Sequence, residues 1–442
     1  MEEWRWAKAA DLGRQIAAGK IDPVDLCETY LSAIDAHPLR DRIYTVVTHD
    51  RARKEAKAAS DRAKAGQRLS PLDGVPISWK DLFDSAGTKT EAGTRLLEGR
   101  VPTSDAEVLR NATSAGLVCL GKTHLSEIAF SGLGYNPMAA TPPCVNDENA
   151  VPGGSSSGAA ASVAFGLAAS GIGSDTGGSV RVPSAWNDLV GLKTTHGRLP
   201  LAGTVALCAS FDTVGPLCRS VEDAALLLAA LEGTKVSDLN ASTLNRAKLL
   251  VLDTVAMEDV RAAPRAAFRS AVERLEAAGA EVVHAGFDAI RDAFELAGAL
   301  YGADAWSAWG DVIERDPSKM FYQIYKRIRP GADVLAADYI KAWRTLGEIR
   351  AHFLELISGF DAVIMPTVPS LPPELERLKA DDDYYVTENL LALRNTRIGN
   401  LMGLCALTLP TGVPSCGIAF NAAPGREAAL LRLCAAAEEA LS

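Results

Sequence analysis

The chain has 442 residues, 48% of them hydrophobic and 23% charged, and its 45 Lys and Arg against 55 Asp and Glu give a net charge of −10. That length buries a large core and allows two or three domains or one large α/β unit, while the acidic balance argues against a groove for nucleic acid, where Lys and Arg cluster. Eight cysteines without a CxxC pair and six histidines without HExxH spacing argue against a disulfide scaffold and a zinc site.

The N-terminus, MEEWRWAKAADLG, is acidic and has no apolar core of the kind a signal peptide needs. The first 70 residues read as helices. Asp22-Pro23 is a helix start, with Asp as N-cap and Pro in the first turn, and Leu26, Tyr30 and Ile34 then fall on one face. The charged run from Asp50 to Lys64 is a solvated helix that stops at Gly66. From Leu72 onward short apolar runs alternate with helical periods. Val75–Trp79 and Leu117–Leu120 are expected strands around a helix over 106–115. Strand, helix and strand follow at 249–252, 264–278 and 281–283, with further strands at 362–365 and 406–409. Such alternation predicts a parallel or mixed sheet with helices on both faces. Between them, residues 290–357 are helical and rich in aromatics, most of which are expected in the core.

Three motifs compete for the chemistry. Gly116 to Thr123, GLVCLGKT, satisfies the phosphate-loop formula, but its four middle residues are the expected strand, and strand amides are not free to curl around phosphates. Gly154-Ser155-Ser156-Ser157-Gly158 satisfies the nucleophile-elbow formula around Ser156, yet no strand precedes it and no downstream histidine sits in a distinctive setting. The third is longer: between Ala150 and Val182, 15 of 33 residues are Gly or Ser, in two clusters flanking an Ala-rich helix. Such clusters cost conformational entropy, which signals a required backbone geometry. The charge-free stretch from Asn149 to Ser174 that contains them is long enough to span a bilayer, but its small residues suit a buried soluble helix better.

GVPISWKDLFDSAGTKT (74–90), PGGSSSGAAASVAFG (152–166) and IGSDTGGSVRVPSAWNDLVGLKTTHGRL (172–199) resemble the amidase signature family. FDTVGPLCRSVEDAALLL, DAVIMPTVP and NTRIGNLMGLCALTLPTG extend the likeness to about residue 440. The resemblance implies a single α/β/α domain over 1–442, with a large twisted mixed sheet covered by helices on both faces: a helical part at 1–70 and a catalytic core at 71–442. It also implies a Ser–Ser–Lys triad, with Lys80 as base, Ser155 as proton relay after a cis peptide from Gly154, and Ser179 as nucleophile. The chemistry agrees, because a serine needs a base within reach and a lysine serves only when its pKa is brought down by burial or cationic neighbours. Asp81, next to Lys80, would undo this if it faced the amine. Thr176, Gly177, Gly178 and Ser179 can present backbone N–H groups to an oxyanion, and Asp175 is expected to hold their loop. Ser156 and Ser157 are expected to brace the loop and cap the following helix. Gly154, Tyr135 and Arg181 are expected near the substrate, Arg181 either gripping a carboxylate or, the preferred reading, tying down the site's own acids. Asn187-Asp188 departs from the family's usual turn.

The function expected is hydrolysis of the C–N bond of a small amide, with no cofactor, no metal, no direct contact with nucleic acid and none with a membrane. A cytoplasmic address is the default, with room for a homodimer or a small accessory subunit. The alternatives are a glutamine-hydrolysing A-type subunit of an amidotransferase, a nucleotide-binding protein and a silent scaffold.

Overall fold

The computed structural model describes residues 2–240 and 242–442. Eleven strands among them form one sheet: β1 (Tyr44–Val47), β2 (Pro76–Lys80), β3 (Val118–Thr123), β4 (Ser170–Ser174), β5 (Val190–Lys193), β6 (Val214–Cys218), β7 (Lys248–Leu252), β8 (Glu281–Ala285), β9 (Ala362–Pro366), β10 (Cys405–Pro410) and β11 (Gly417–Ala422). Their order is β1-β3-β2-β4-β6-β5-β10-β11-β9-β7-β8. A parallel block β3-β2-β4 sits on one side and a parallel block β9-β7-β8 on the other. The strands between them run antiparallel. The sheet is therefore mixed, as the alternation predicts, and the strand–helix–strand unit closes one edge with the helix Ala262–Ala277 between β7 and β8.

Where sequence and structure differ, the cause is local. The first 70 residues are not all helical: Tyr-Thr-Val-Val becomes β1, pairing antiparallel with β3. A four-residue run rich in β-branched side chains is too short to register between two helical periods. The helix start at Asp22 stands as expected, its carboxylate accepting from the Val24 N–H at 2.9 Å, with Leu26, Tyr30 and Ile34 all buried. The charge-free stretch holds a helix of only eight residues, Ser157–Ala164, followed by β4. No helix among the described residues is long and apolar enough to cross a membrane. Of the ten aromatics between 290 and 357, Trp309 and Phe353 are buried; seven are half-buried against the core and Tyr322 is exposed. One of the half-buried set, Tyr301, reaches the segment just beyond β4, its hydroxyl donating to the Thr176 carbonyl, at the strand end where ligands bind in α/β sheets.

Candidate active site

Lys80 is the last residue of β2, a strand buried along its whole length between β3 and β4. Parallel pairing of Trp79 with Ile172 brings the end of β2 beside the end of β4. Lys80 is fully buried, and its Nζ donates to Ser155 Oγ at 2.7 Å and to Ser174 Oγ at 2.8 Å. Burial brings its pKa down from 10.5 to about 7, against an opposing pull from Asp212 and Asp175. The cause is desolvation of an ammonium with no carboxylate hydrogen-bonded to it. Asp81 turns away. Its carboxylate takes Lys122 Nζ at 2.9 Å, and Lys122 also donates to Thr90 Oγ1.

That pairing also disposes of the phosphate loop. Val118–Thr123 is β3, hydrogen-bonded to strands on both sides, and Lys122 is fully buried in an ion pair.

Ser155 follows a cis peptide from Gly154. Gly154 itself is packed away, its N–H on the Gly132 carbonyl at 2.8 Å, and it does not reach the cavity over Ser179. Ser156 braces the loop against β4, its Oγ accepting from the Ser174 N–H at 3.3 Å. A side chain at Gly173 would place its Cβ 2.5 Å from that Oγ. Ser157 reaches the His124 carbonyl, and neither serine's hydroxyl caps the helix.

Asp175, just beyond β4, organises the loop that carries Ser179. Its carboxylate accepts from the N–H groups of Gly178 (2.9 Å) and Val180 (3.1 Å), from Asn400 Nδ2 (2.9 Å), and from Arg181 Nε and Nη2 (3.0 and 2.9 Å). Burial alone would raise this carboxyl, but Arg181, with Lys193 and Asn400, holds it far below the usual range. Arg181 is wholly buried in this pair, with a further bond to Asn400. Arg181 Nε and Nη2 are thus committed to the site's own acid and the residue does not line the cavity over Ser179, so the structure does not bring it forward as a substrate contact. The carbonyls of the loop are clamped from outside: Thr176 by Tyr301 (3.1 Å), Gly177 by Thr396 (2.8 Å) and Ser179 by the Ser156 N–H (3.1 Å). Among the four expected oxyanion donors, Gly178 is a correction, since its N–H already serves Asp175. The N–H groups of Thr176, Gly177 and Ser179 have no hydrogen-bond partner among the described residues. Gly178 has φ +136°, and a Cβ there would lie 2.0 Å from Thr396 Oγ1.

Ser179 opens onto a cavity of about 470 Å³, bounded by Thr176, Gly177, Tyr301, Arg327, Leu393 and Arg397, among others. Its hydroxyl has no hydrogen-bond partner among the described residues, so Lys80 and Ser155 are joined while the last link of the row is open. Tyr135 is not in this cavity. It lies in a separate one with Arg42 and Lys379, its ring packed edge-on to Phe321 and Tyr385. The 131–144 loop runs past the site and offers only Ser131 to it.

Ser174 is a site residue that sequence reasoning missed, as are Asp212, Tyr301, Thr396 and Asn400. Asp212 is buried, accepts from Thr176 Oγ1 at 2.5 Å, and has its pKa pushed up by burial to about 6. Ser174 lies inside the quoted IGSDTGGS run, but only the β2–β4 pairing places it on the amine.

The Amidase family model matches residues 25–431. A 2-amino-5-chloromuconic acid deaminase of Comamonas testosteroni is 36% identical over 393 residues, 86% of this chain and 84% of the relative. The A-type subunit of a glutamyl-tRNA(Gln) amidotransferase from Anaeromyxobacter dehalogenans (strain 2CP-C) is 34% identical over 479 aligned positions, 98% of this chain and 95% of the relative. A solved amidase superposes with a TM-score of 0.88 at 28% identity, covering 99% of this chain and 100% of that one.

Proposed function

The chain belongs to the amidase signature family and is a C–N hydrolase, and on that premise we propose that it cleaves a small amide through an acyl-enzyme on Ser179. One observation carries the reading: a fully buried lysine, with a pKa of about 7, hydrogen-bonds among the described residues only to serine hydroxyls, one of them that of Ser155, whose neighbour Ser156 donates its N–H to the Ser179 carbonyl at 3.1 Å.

Neutral Lys80 takes the Ser155 proton as Ser155 takes that of Ser179, and Ser179 Oγ bonds to the amide carbon. The open link between the two serines closes when substrate fills the cavity. The oxyanion forms beside the free N–H groups of Thr176, Gly177 and Ser179, each such donor being worth roughly 3–4 kcal/mol in comparable sites. Collapse breaks the C–N bond, and the proton on Lys80 returns through Ser155 to the departing amine. Water then attacks the ester by the reverse relay, releasing the carboxylate and restoring the Ser179 hydroxyl. No carboxylate or histidine is needed as base.

The reading takes residues 1–442 as one catalytic unit, supported by β1 joining the same sheet as the rest. It places the enzyme in the cytoplasm, supported by eight cysteines that are all free and buried. A second reading, a glutamine-hydrolysing A-type subunit working with a partner, has support in the 34% identity to a protein of that kind over nearly the whole chain. An isolated chain inert on glutamine and simple amides, but active with a partner, would favour it.

The test is covalent. A fluorophosphonate should label Ser179, located by peptide mass spectrometry. Label at Ser156 would revive the elbow, and no label at all would remove the acyl-enzyme.

A further inference from the structure

The cavity over Ser179 has one sign of charge. Lys326, Arg327 and Arg397 line it, and no Asp or Glu does. Surface cations commonly find carboxylates; these do not. None of the three forms a salt bridge with any described residue. Arg397, on the helix Asp382–Leu401, is half-buried with its guanidinium over the Phe294 ring at 5.4 Å, and makes no hydrogen bond among the described residues. Arg327, on the helix Tyr322–Ile328, is half-buried over the Phe130 ring at 4.5 Å and gives one N–H to the Phe130 carbonyl at 2.7 Å. A guanidinium has five N–H donors, so four remain on Arg327 and all five on Arg397. Burial depresses both pKa values, and Arg397 depresses that of Arg327 further, so the two cations repel across the cavity wall with no acid between them.

Two partly desolvated guanidiniums without counter-charge form an incomplete arrangement, and a ligand carboxylate completes it, since the guanidinium fork matches a carboxylate in shape and charge. Elsewhere Arg181 has Asp175, and Arg198 has Glu232 and Glu427, while Arg219 and Arg350, which lack a carboxylate, give their N–H groups to two or more backbone carbonyls each. Arg397 has neither kind of partner among the described residues, and it lies in the cavity with the nucleophile. We propose that the substrate is an amide that also carries a carboxylate and no cationic group, the carboxylate held by Arg397 and Arg327 while the amide meets Ser179. This deepens the reading given under the proposed function and rests on it for the amide. Absence of an acid from the lining bears on the second half. Free glutamine brings an α-ammonium beside its α-carboxylate, and that ammonium would enter a cavity lined by three cations with nothing to receive it. Monoamides of simple dicarboxylic acids have the anion without the cation.

Binding is tested apart from turnover in full-length Ser179→Ala protein, which cannot form the acyl-enzyme. Calorimetric titration compares succinamate and glutaramate with neutral butyramide and with glutamine. Charge-assisted hydrogen bonds predict that the better monoamide binds about tenfold to a hundredfold more tightly than butyramide, and more tightly than glutamine. Arg397→Gln on the same background should remove most of that preference and Arg397→Lys should retain part of it, with circular dichroism confirming the fold. Arg327→Gln provides an independent second variant. Equal binding of monoamide and butyramide, no measurable binding of either monoamide, a preference that survives both glutamine variants, or glutamine matching glutaramate would each overturn the proposal. Failure of the Ser179 enzyme to hydrolyse any amide, with the monoamide preference intact in Ser179→Ala, would instead sink the hydrolase reading and leave the anion subsite standing.

Discussion

Replacing Lys80 by methionine separates its cost to stability from its role in catalysis. In the folded chain the amine's pKa is about 7, against 10.5 when free in water. A lowered lysine pKa means that the unfolded chain binds more protons between those two values, so stability rises with pH across that window. Integrating the two titrations gives a cost to the fold of about 4 kcal/mol at pH 7 and about 2 kcal/mol at pH 9. Methionine keeps the length of the side chain and has no such titration. It also strips Ser155 and Ser174 of a donor, a loss of roughly 1–3 kcal/mol each that does not change with pH. The net sign at one pH is therefore uninformative, but the difference between variant and wild type should shift by about 2 kcal/mol, in favour of wild type, from pH 7 to pH 9. Urea unfolding at pH 7, 8 and 9 measures it. In parallel, the rate of Ser179 labelling by a fluorophosphonate in the wild type should rise about tenfold from pH 6 to pH 8 and then level off, following the neutral fraction of a group near pH 7, while Lys80→Met should label far more slowly at every pH. Stability curves that run parallel from pH 7 to 9, or a labelling rate that keeps rising towards pH 10, would refute the assignment of a desolvated, neutral lysine.

Two further substitutions probe the charges around that lysine. Lys122→Met leaves the Asp81 carboxylate buried without its cation; denaturant unfolding should show a loss of about 3–5 kcal/mol, and calorimetry with ATP should show no binding to the wild type for the variant to abolish. Arg181→Met removes the chief partner of Asp175, one of the two acids that pull on Lys80. It should cost a similar amount of stability and move the midpoint of the Ser179 labelling profile upward, since an anion freed of its partner favours the ammonium; an unmoved midpoint in a folded variant would disconnect Asp175 from the base.

Much of the site was legible because its chemistry is written in consecutive residues. The two Gly/Ser clusters and the WKD run carried Lys80, Ser155 and Ser179 by resemblance, and Asp175 by its place before the turn. The scaffold was less legible. Strands β7, β9 and β10 are largely apolar runs, and they stand out. Strands β1, β4, β5, β6 and β11 were not anticipated. The sequence of β4, SGIGS, has the composition of a loop, and its glycines are there because neighbours come close: a Cβ at Gly173 would strike Ser156, and one at Gly215 in β6 would lie 1.8 Å from the Leu192 carbonyl. Close approach reads as flexibility when only composition is visible. Ser174 was lost for the same reason, since its role comes from strand pairing, which a single sequence does not encode locally. Arg327 and Arg397 are ordinary cations on their helices, and only the absence of a partner in three dimensions sets them apart. Tyr135 failed the other way: its loop is near the site in sequence terms, but its ring packs into a second aromatic cluster.

The position of Lys80 also explains how a chain with more acidic than basic residues keeps an amine of lowered pKa in its interior. Asp81 adjoins it in sequence, and Asp175 and Asp212 both pull its pKa upward. Each of these carboxyls has its own arrangement. Asp81 is paired with Lys122, and Asp175 with Arg181 and Asn400. Asp212 accepts from Thr176 and the Leu207 and Cys208 N–H groups, while burial pushes it to about 6, partly towards the neutral acid. None of the three is hydrogen-bonded to the Lys80 amine, whose partners among the described residues are two hydroxyls. An ammonium facing even one unpaired carboxylate at this depth would stay charged at neutral pH, and a charged lysine accepts no proton. The buried ion pairs around the site are expensive to desolvate and weak arguments for stability. Under the proposed mechanism their effect on function is indirect: they occupy the acids, and Lys80 is left to the serine hydroxyls.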